Sequence, residues 1–136
     1  MSGFTLDPQL EKDTRAVAQI DGIDIRLMRD SRYWWLVLVP QIDGAVEWHD
    51  LPETAQAKLF DLSMRCSKAL SHLAEADKMN VASLGNMVRQ LHVHIIARHQ
   101  GDAAWPGPVW GVGAMVEYEE ENAGQRILAI QSFLTK

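Results

Sequence analysis

The stretch Gln90-Leu91-His92-Val93-His94-Ile95-Ile96-Ala97-Arg98 alternates polar and apolar side chains almost throughout, and no other part of the chain constrains the fold as tightly. Successive side chains of a β-strand point to opposite faces, so this period predicts a half-exposed strand over 90–98. Leu91, Val93, Ile95 and Ala97 then enter a core, while Gln90, His92, His94 and Arg98 share the other face. Two imidazoles and a guanidinium in a row on a rigid strand can serve as nucleophile, acid and anion-binding group. The same spacing suits an ordinary solvent-facing polar stripe. It also suits an H-x-H metal pair completed by His99 or a carboxylate. Spacing alone does not choose among the three.

The rest of the chain mixes helical and strand patterns. Asp7-Pro8 reads as a helix start, a capping carboxylate followed by a proline whose missing N–H costs nothing there, and the helix is expected to run to about Val17. Asp21-Gly22, between Ala18-Gln19-Ile20 and the run Ile23 to Leu27, predicts a hairpin turn. The apolar run from Trp35 to Pro40 predicts a buried strand. Asp50, Pro52 and Glu53 open the clearest helix, in which Leu59, Leu62, Cys66, Leu70 and Leu73 form one apolar stripe. A further strand is expected over Asn80 to Leu84, then a turn at Gly85-Asn86, and a second helix from Glu117 to Leu134. A tight hairpin with alternating strands favours an α+β fold built on an antiparallel sheet of about five strands. No repeat or linker divides the sequence, so residues 1–136 are read as one domain.

Composition narrows the function classes. Apolar residues make up 47% and charged residues 23%, which argues against a disordered or fibrous chain. A net charge of −5 argues against a general basic surface, so no nucleic-acid polymer is expected as partner. The lone Cys66 excludes an internal disulfide and multi-thiolate zinc sites, and its place on the apolar stripe marks it as a small core residue. With no 18-residue apolar run and no basic-then-apolar start, no membrane contact is expected and the chain is read as cytoplasmic.

The stretch ending at Arg98 resembles the signature of the histidine-triad (HIT) family, His-φ-His-φ-His-φ-φ with φ apolar, with Gln90 in the first histidine position. Other pieces resemble the same family in the same order: Trp35 to Pro40 matches its His-φ-φ-φ-φ-Pro strand, Glu47-Trp48-His49-Asp50-Leu51 leads into the long helix, and Asn80 and Gly85-Asn86 precede the signature. Trp105-Pro106 follows it, so the likeness spans about residues 20–110. The resemblance implies a nucleotide phosphohydrolase or nucleotidyl transferase acting at an α-phosphorus, on dinucleoside polyphosphates or nucleoside phosphoramidates. It implies His92 as nucleophile, forming a nucleotidyl-histidine; His94 as donor to phosphate oxygens; and Gln90 as provider of the carbonyl that fixes the His92 tautomer. Asn80, Asn86 and Arg98 become candidates for phosphate contact, although turn chemistry fits the asparagines equally well and a solvated surface is the commoner place for an arginine. Leu27, Met28 and Arg29 become candidates for nucleoside contact. A homodimer with joined sheets, and no tightly bound cofactor, are also implied; Mg2+ could accompany a polyphosphate substrate. Three departures stand out: Gln90, Trp35 where many relatives carry a fourth histidine, and Met87 where Ser or Thr often meets phosphate. They support an alternative, a nucleotide-binding module with weak catalysis. A small metalloprotein built on His92, His94 and one further ligand is the third reading.

Overall fold

The computed structural model describes residues 3–135. A short helix α1 (Pro8–Asp13) leads into strands β1 (Thr14–Ile20), β2 (Ile23–Met28) and β3 (Trp35–Pro40). A 3-10 turn at Trp48–Asp50 precedes the long helix α2 (Glu53–Leu73), and β4 (Lys78–Ala82), β5 (Val93–Arg98) and helix α3 (Glu120–Leu134) complete the order. The strands make one antiparallel sheet in the order β1-β2-β3-β5-β4. The fold is α+β, with the five-stranded sheet that the alternation predicts.

Local chemistry explains several boundaries. The carboxylate of Asp7 accepts from the Gln9 N–H at 2.8 Å and starts α1. Asp21 and Gly22 both adopt positive φ, 54° and 76°, the combination a two-residue hairpin needs to match strand twist. The helix expected to reach Val17 stops at Asp13, because Thr14 to Ile20 pair with β2 from Met28 to Ile23. Cross-strand pairing overrides a local pattern that permits either state. The strand expected at 80–84 lies at 78–82, and the last helix begins at Glu120 rather than Glu117.

Both faces of the central strands are covered. On one, Ile25, Leu27, Leu36, Leu38, Val93 and Ile95 pack against Leu59, Leu62, Cys66 and Leu70 of α2 and Ile130 of α3. On the other, Met28, Trp35, Val37, Val39 and Ile96 meet Leu10 of α1 and Val109 of the loop after β5. β5 is therefore buried along its whole length, and the half-exposed strand read from the alternation is corrected. Its polar face looks into a second layer instead of into water. Burial also pushes the Cys66 thiol up to about 12, so it stays protonated and serves as packing.

Leu62 is fully buried whereas Phe60, two residues earlier on α2, is 59% exposed. Leu62→Ala is expected to destabilise the fold by about 2–5 kcal/mol and Phe60→Ala by no more than about 0.5 kcal/mol in urea unfolding.

Candidate active site

β3 and β5 pair with Val37 opposite His94 and Trp35 opposite Ile96. Trp35 thus lies diagonally from His94 on the same face, a separation an aromatic ring can span. Its indole Nε1–H donates to Nδ1 of His94 at 3.0 Å. With Nδ1 accepting, the neutral imidazole of His94 carries its proton on Nε2. His92 is held the opposite way. Its Nδ1–H donates to the Gln90 carbonyl at 2.7 Å, which leaves the lone pair on Nε2. The two rings sit 4.9 Å apart, and only about one twentieth of each residue is exposed. One imidazole thereby presents a free Nε2 lone pair and its neighbour an Nε2–H donor. Burial first, and His92 second, push His94 from its ordinary 6.5 down to about 3, against a smaller opposing pull from the backbone at Leu84.

Both imidazoles line a cavity of about 550 Å3 whose walls come from four parts of the chain: α1, the ends of β2 and β3, residues 84–88, and the loop after β5. Trp110 from that loop stands edge-on at 5.0 Å to His94 and 6.0 Å to Trp35, so rings enclose His94 on three sides. The charged lining residues are Asp13, Asp30 and Arg32. Asp30 is fully buried and takes both Nε and Nη2 of Arg32, at 3.0 and 2.9 Å. Arg32 also donates Nη1 to the Val112 carbonyl at 2.8 Å, which ties the Trp110 loop to the end of β2. A smaller hollow of about 320 Å3 meets the cavity at His92 and Asn86 and is lined also by Glu47, Ser83 and Arg89. Gly85 makes the turn that presents Asn86, since a Cβ there would lie 2.9 Å from the Val88 carbonyl oxygen.

The structure brings His92, His94, Asn86 and Met28 together and separates the other candidates from them. Residues 90–92 precede β5, and the Gln90 side chain turns away from the cavity: its Oε1 accepts from the Asp7 N–H and its Nε2 donates to the Thr5 carbonyl, each at 2.9 Å. Only its backbone carbonyl serves the site. Arg98, 1% exposed, spends Nε and Nη2 on Asp102 and Nη1 on the Oδ1 of Asn80. Arg98 and Asn80 lie outside the cavity lining and hold the loop start, where Asp102 also accepts the Trp105 N–H. Leu27 lies in the main core, and Arg29 pairs with Glu117 at 3.8 Å on the surface. Met87 lines the rim and is 96% exposed. Among the described residues no three His, Cys, Asp or Glu side chains are grouped to hold a metal ion. His99 is engaged elsewhere, its Nε2 bonded to the Ala74 carbonyl at 2.7 Å, so the metalloprotein reading lacks its third ligand. Residue patterning missed Trp35 as a polar partner, and it missed Asp30-x-Arg32, whose spacing resembles any surface pair.

A profile of the HIT domain family matches residues 9–101. The chain belongs to the histidine-triad family. Among solved structures, a histidine triad protein from Bradyrhizobium japonicum is 41% identical, with 96% of this chain and 98% of that one covered and a TM-score of 0.94. One from Marinobacter aquaeolei VT8 is 42% identical, covering 97% and 96%, also at 0.94. A hypothetical histidine triad nucleotide-binding protein from Sulfolobus tokodaii shares the fold at 18% identity and a TM-score of 0.69, over 93% and 86% of the two chains. No curated protein matches. Membership in the HIT family supports a nucleotide-binding hydrolase or transferase.

Two outcomes follow from the electrostatics. Below its ordinary 6.5 the unfolded chain binds a proton at residue 94 that the folded chain refuses until about pH 3, so stability is complete above 6.5 and is lost as pH falls through that window. In urea unfolding the stability of wild type is expected to fall relative to that of His94→Gln by roughly 1 kcal/mol for each unit the pH is lowered between those limits. Asp102, held down at about 2 chiefly by Arg98, stays ionised throughout. Asp102→Asn leaves a buried guanidinium without its counter-charge and is expected to cost about 3–5 kcal/mol at pH 7 in the same assay.

Proposed function

We propose that this HIT protein hydrolyses or transfers nucleotides at the α-phosphorus through a nucleotidyl-His92 intermediate. The observation that carries the reading is the opposed pair: a free Nε2 lone pair on His92 beside an Nε2–H on His94, both on the cavity wall. In the first step Nε2 of His92 bonds to phosphorus as the bond to the leaving group breaks; the electron pair departs with that group, which leaves as a phosphate anion from a polyphosphate or, having taken a proton from solvent, as a neutral amine from a phosphoramidate. The substituted imidazole is then cationic, and its Nδ1–H bond to the Gln90 carbonyl strengthens as the charge develops. The His94 donor meets the phosphoryl oxygens. Water next attacks phosphorus, the N–P electrons return to Nε2, and the proton the water loses passes to solvent.

Charge favours one of the two substrate types. With Asp30 and Arg32 paired to each other, the two hollows are left lined by two carboxylates, Asp13 and Glu47, against one guanidinium, Arg89. Such a site suits a nucleoside phosphoramidate, with little charge, ahead of a multiply charged dinucleoside polyphosphate. The apolar and aromatic walls suit a nucleoside. No cofactor takes part in this reading, and Mg2+ enters only with a polyphosphate. We extend it to a cytoplasmic homodimer; the edge strand β4, with Val81 44% exposed, offers a surface for a second copy. Gln90, committed to Thr5 and Asp7, favours the weakly catalytic nucleotide-binding module as the second reading.

The test is intact-mass spectrometry after brief mixing with adenosine phosphoramidate or diadenosine tetraphosphate, quenched under conditions that preserve phosphoramidate bonds. An adenylyl adduct on wild type, absent from His92→Ala, is expected, with faster turnover of the phosphoramidate. His92→Ala should lower turnover at least about 10³-fold. Micromolar nucleotide binding by calorimetry without adduct or product would establish the binding module instead.

A further inference from the structure

Trp35 stands where the family resemblance places a fourth histidine, and a tryptophan there first reads as a lost polar group. The geometry reverses that reading. In both side chains a five-membered ring is attached through Cγ, and the indole Nε1 occupies the ring position of the imidazole Nε2, two bonds from Cγ. The donor is therefore kept, and it reaches Nδ1 of His94 at 3.0 Å. What changes is reversibility. An imidazole, hydroxyl or amide can exchange donor and acceptor roles, whereas an indole nitrogen only donates.

We propose that Trp35 is a positioning residue whose indole N–H, aimed at Nδ1 of His94, fixes that imidazole as a permanent Nε2–H donor to the phosphoryl group and bars it from carrying protons. One observation and two chemical arguments support this. Trp35 is 4% exposed and wedged edge-on between Tyr33 and Trp110, with ring centroids at 6.2 and 6.0 Å, so its N–H cannot swing away. A proton arriving at Nδ1 would have to displace the indole N–H from the same lone pair. His92, 4.9 Å away, becomes cationic on attack, so a second cation at His94 would oppose the step. The titratable neighbours are His92 before β5, Asp13 at the end of α1, and Asp30 and Arg32 beyond β2; Trp35 and Trp110 carry no charge.

The proposal rests on His92 as nucleophile and His94 as its partner, and its first test needs no substrate. In 15N-imidazole NMR of the full chain, His94 is identified by the signals missing from His94→Gln. Wild type should show Nε2 protonated and Nδ1 bare from pH 8 to pH 5. Trp35→Phe keeps a ring but no N–H, and its His94 should populate both tautomers or titrate within that range. Its kcat with adenosine phosphoramidate should fall about tenfold, with KM little changed. Trp35→His, with its donor at the same ring position, should recover most of the rate at pH 8 but lose it as pH falls toward the ordinary imidazole range, which wild type does not. A wild-type His94 that carries its proton on Nδ1, or titrates near 6.5, overturns the proposal even if the Phe variant fails to fold. So does a Phe variant with unchanged spectrum and rate. The expected spectrum without turnover of any nucleotide would overturn the functional reading and leave the tautomer assignment standing.

Discussion

The antiparallel register of β3 against β5 settles the core and the site together. Pairing Trp35 with Ile96 and Leu38 with Val93 sends Leu36, Leu38, Val93 and Ile95 toward the helices, and Trp35, Val37, His94 and Ile96 toward the cavity. Because strand side chains repeat every second residue, a slip of one position would exchange the two sets. It would drive two imidazoles into an aliphatic core and break the Trp35–His94 hydrogen bond in the same movement. The register that closes the hydrophobic layer is thus the one that assembles the chemistry.

Neutrality is the electrical theme of the cavity. Two unit charges at the 4.9 Å spacing of the imidazoles would repel by about 3 kcal/mol at an effective dielectric constant near 20. A site in which one imidazole gains charge during the reaction therefore benefits from a neighbour that stays uncharged. The formal charges nearby are cancelled locally: Arg32 by Asp30 beneath the cavity wall, and Arg98 by Asp102 at the far end of β5. These pairs shape loops and leave Asp13 as the one formal charge on the cavity lining without an ionic partner among the described residues.

Much of this was legible in the residues. Alternation over 90–98 sends Val93, Ile95 and Ala97 to one face of β5 and His94 and Arg98 to the other, as observed, but does not place Ile96, which fills the second core; motif order places the hairpin, the long helix and the paired histidines. Patterning gives the face but neither the distance along it nor the partners. Arg98 shares a face with His94 yet lies four residues further on, about 13 Å away in a strand, where Asp102 and Asn80 claim it. Gln90 obeys the alternation in sequence, but the strand begins only at Val93, which frees its side chain to find Thr5 and Asp7. Leu27 and Met28 are adjacent, and the pleat alone sends one to the core and the other to the cavity. Trp35 was the hardest to read, since an indole signals packing unless the atom facing its nitrogen is known.

The Gln90 clamp has an evolutionary implication. The shared domain begins at residue 9 and ends at 101. The groups that grip Gln90, at Thr5 and Asp7, fall before it, and Val109, Trp110 and Met115 of the cavity wall fall after it. The paired imidazoles, their orienting groups and most of the cavity wall occupy the common framework, while the loop after β5 adds the rest of the wall from beyond it. Descent with modification can then rework that loop, changing which molecules the cavity admits, while leaving the paired imidazoles untouched.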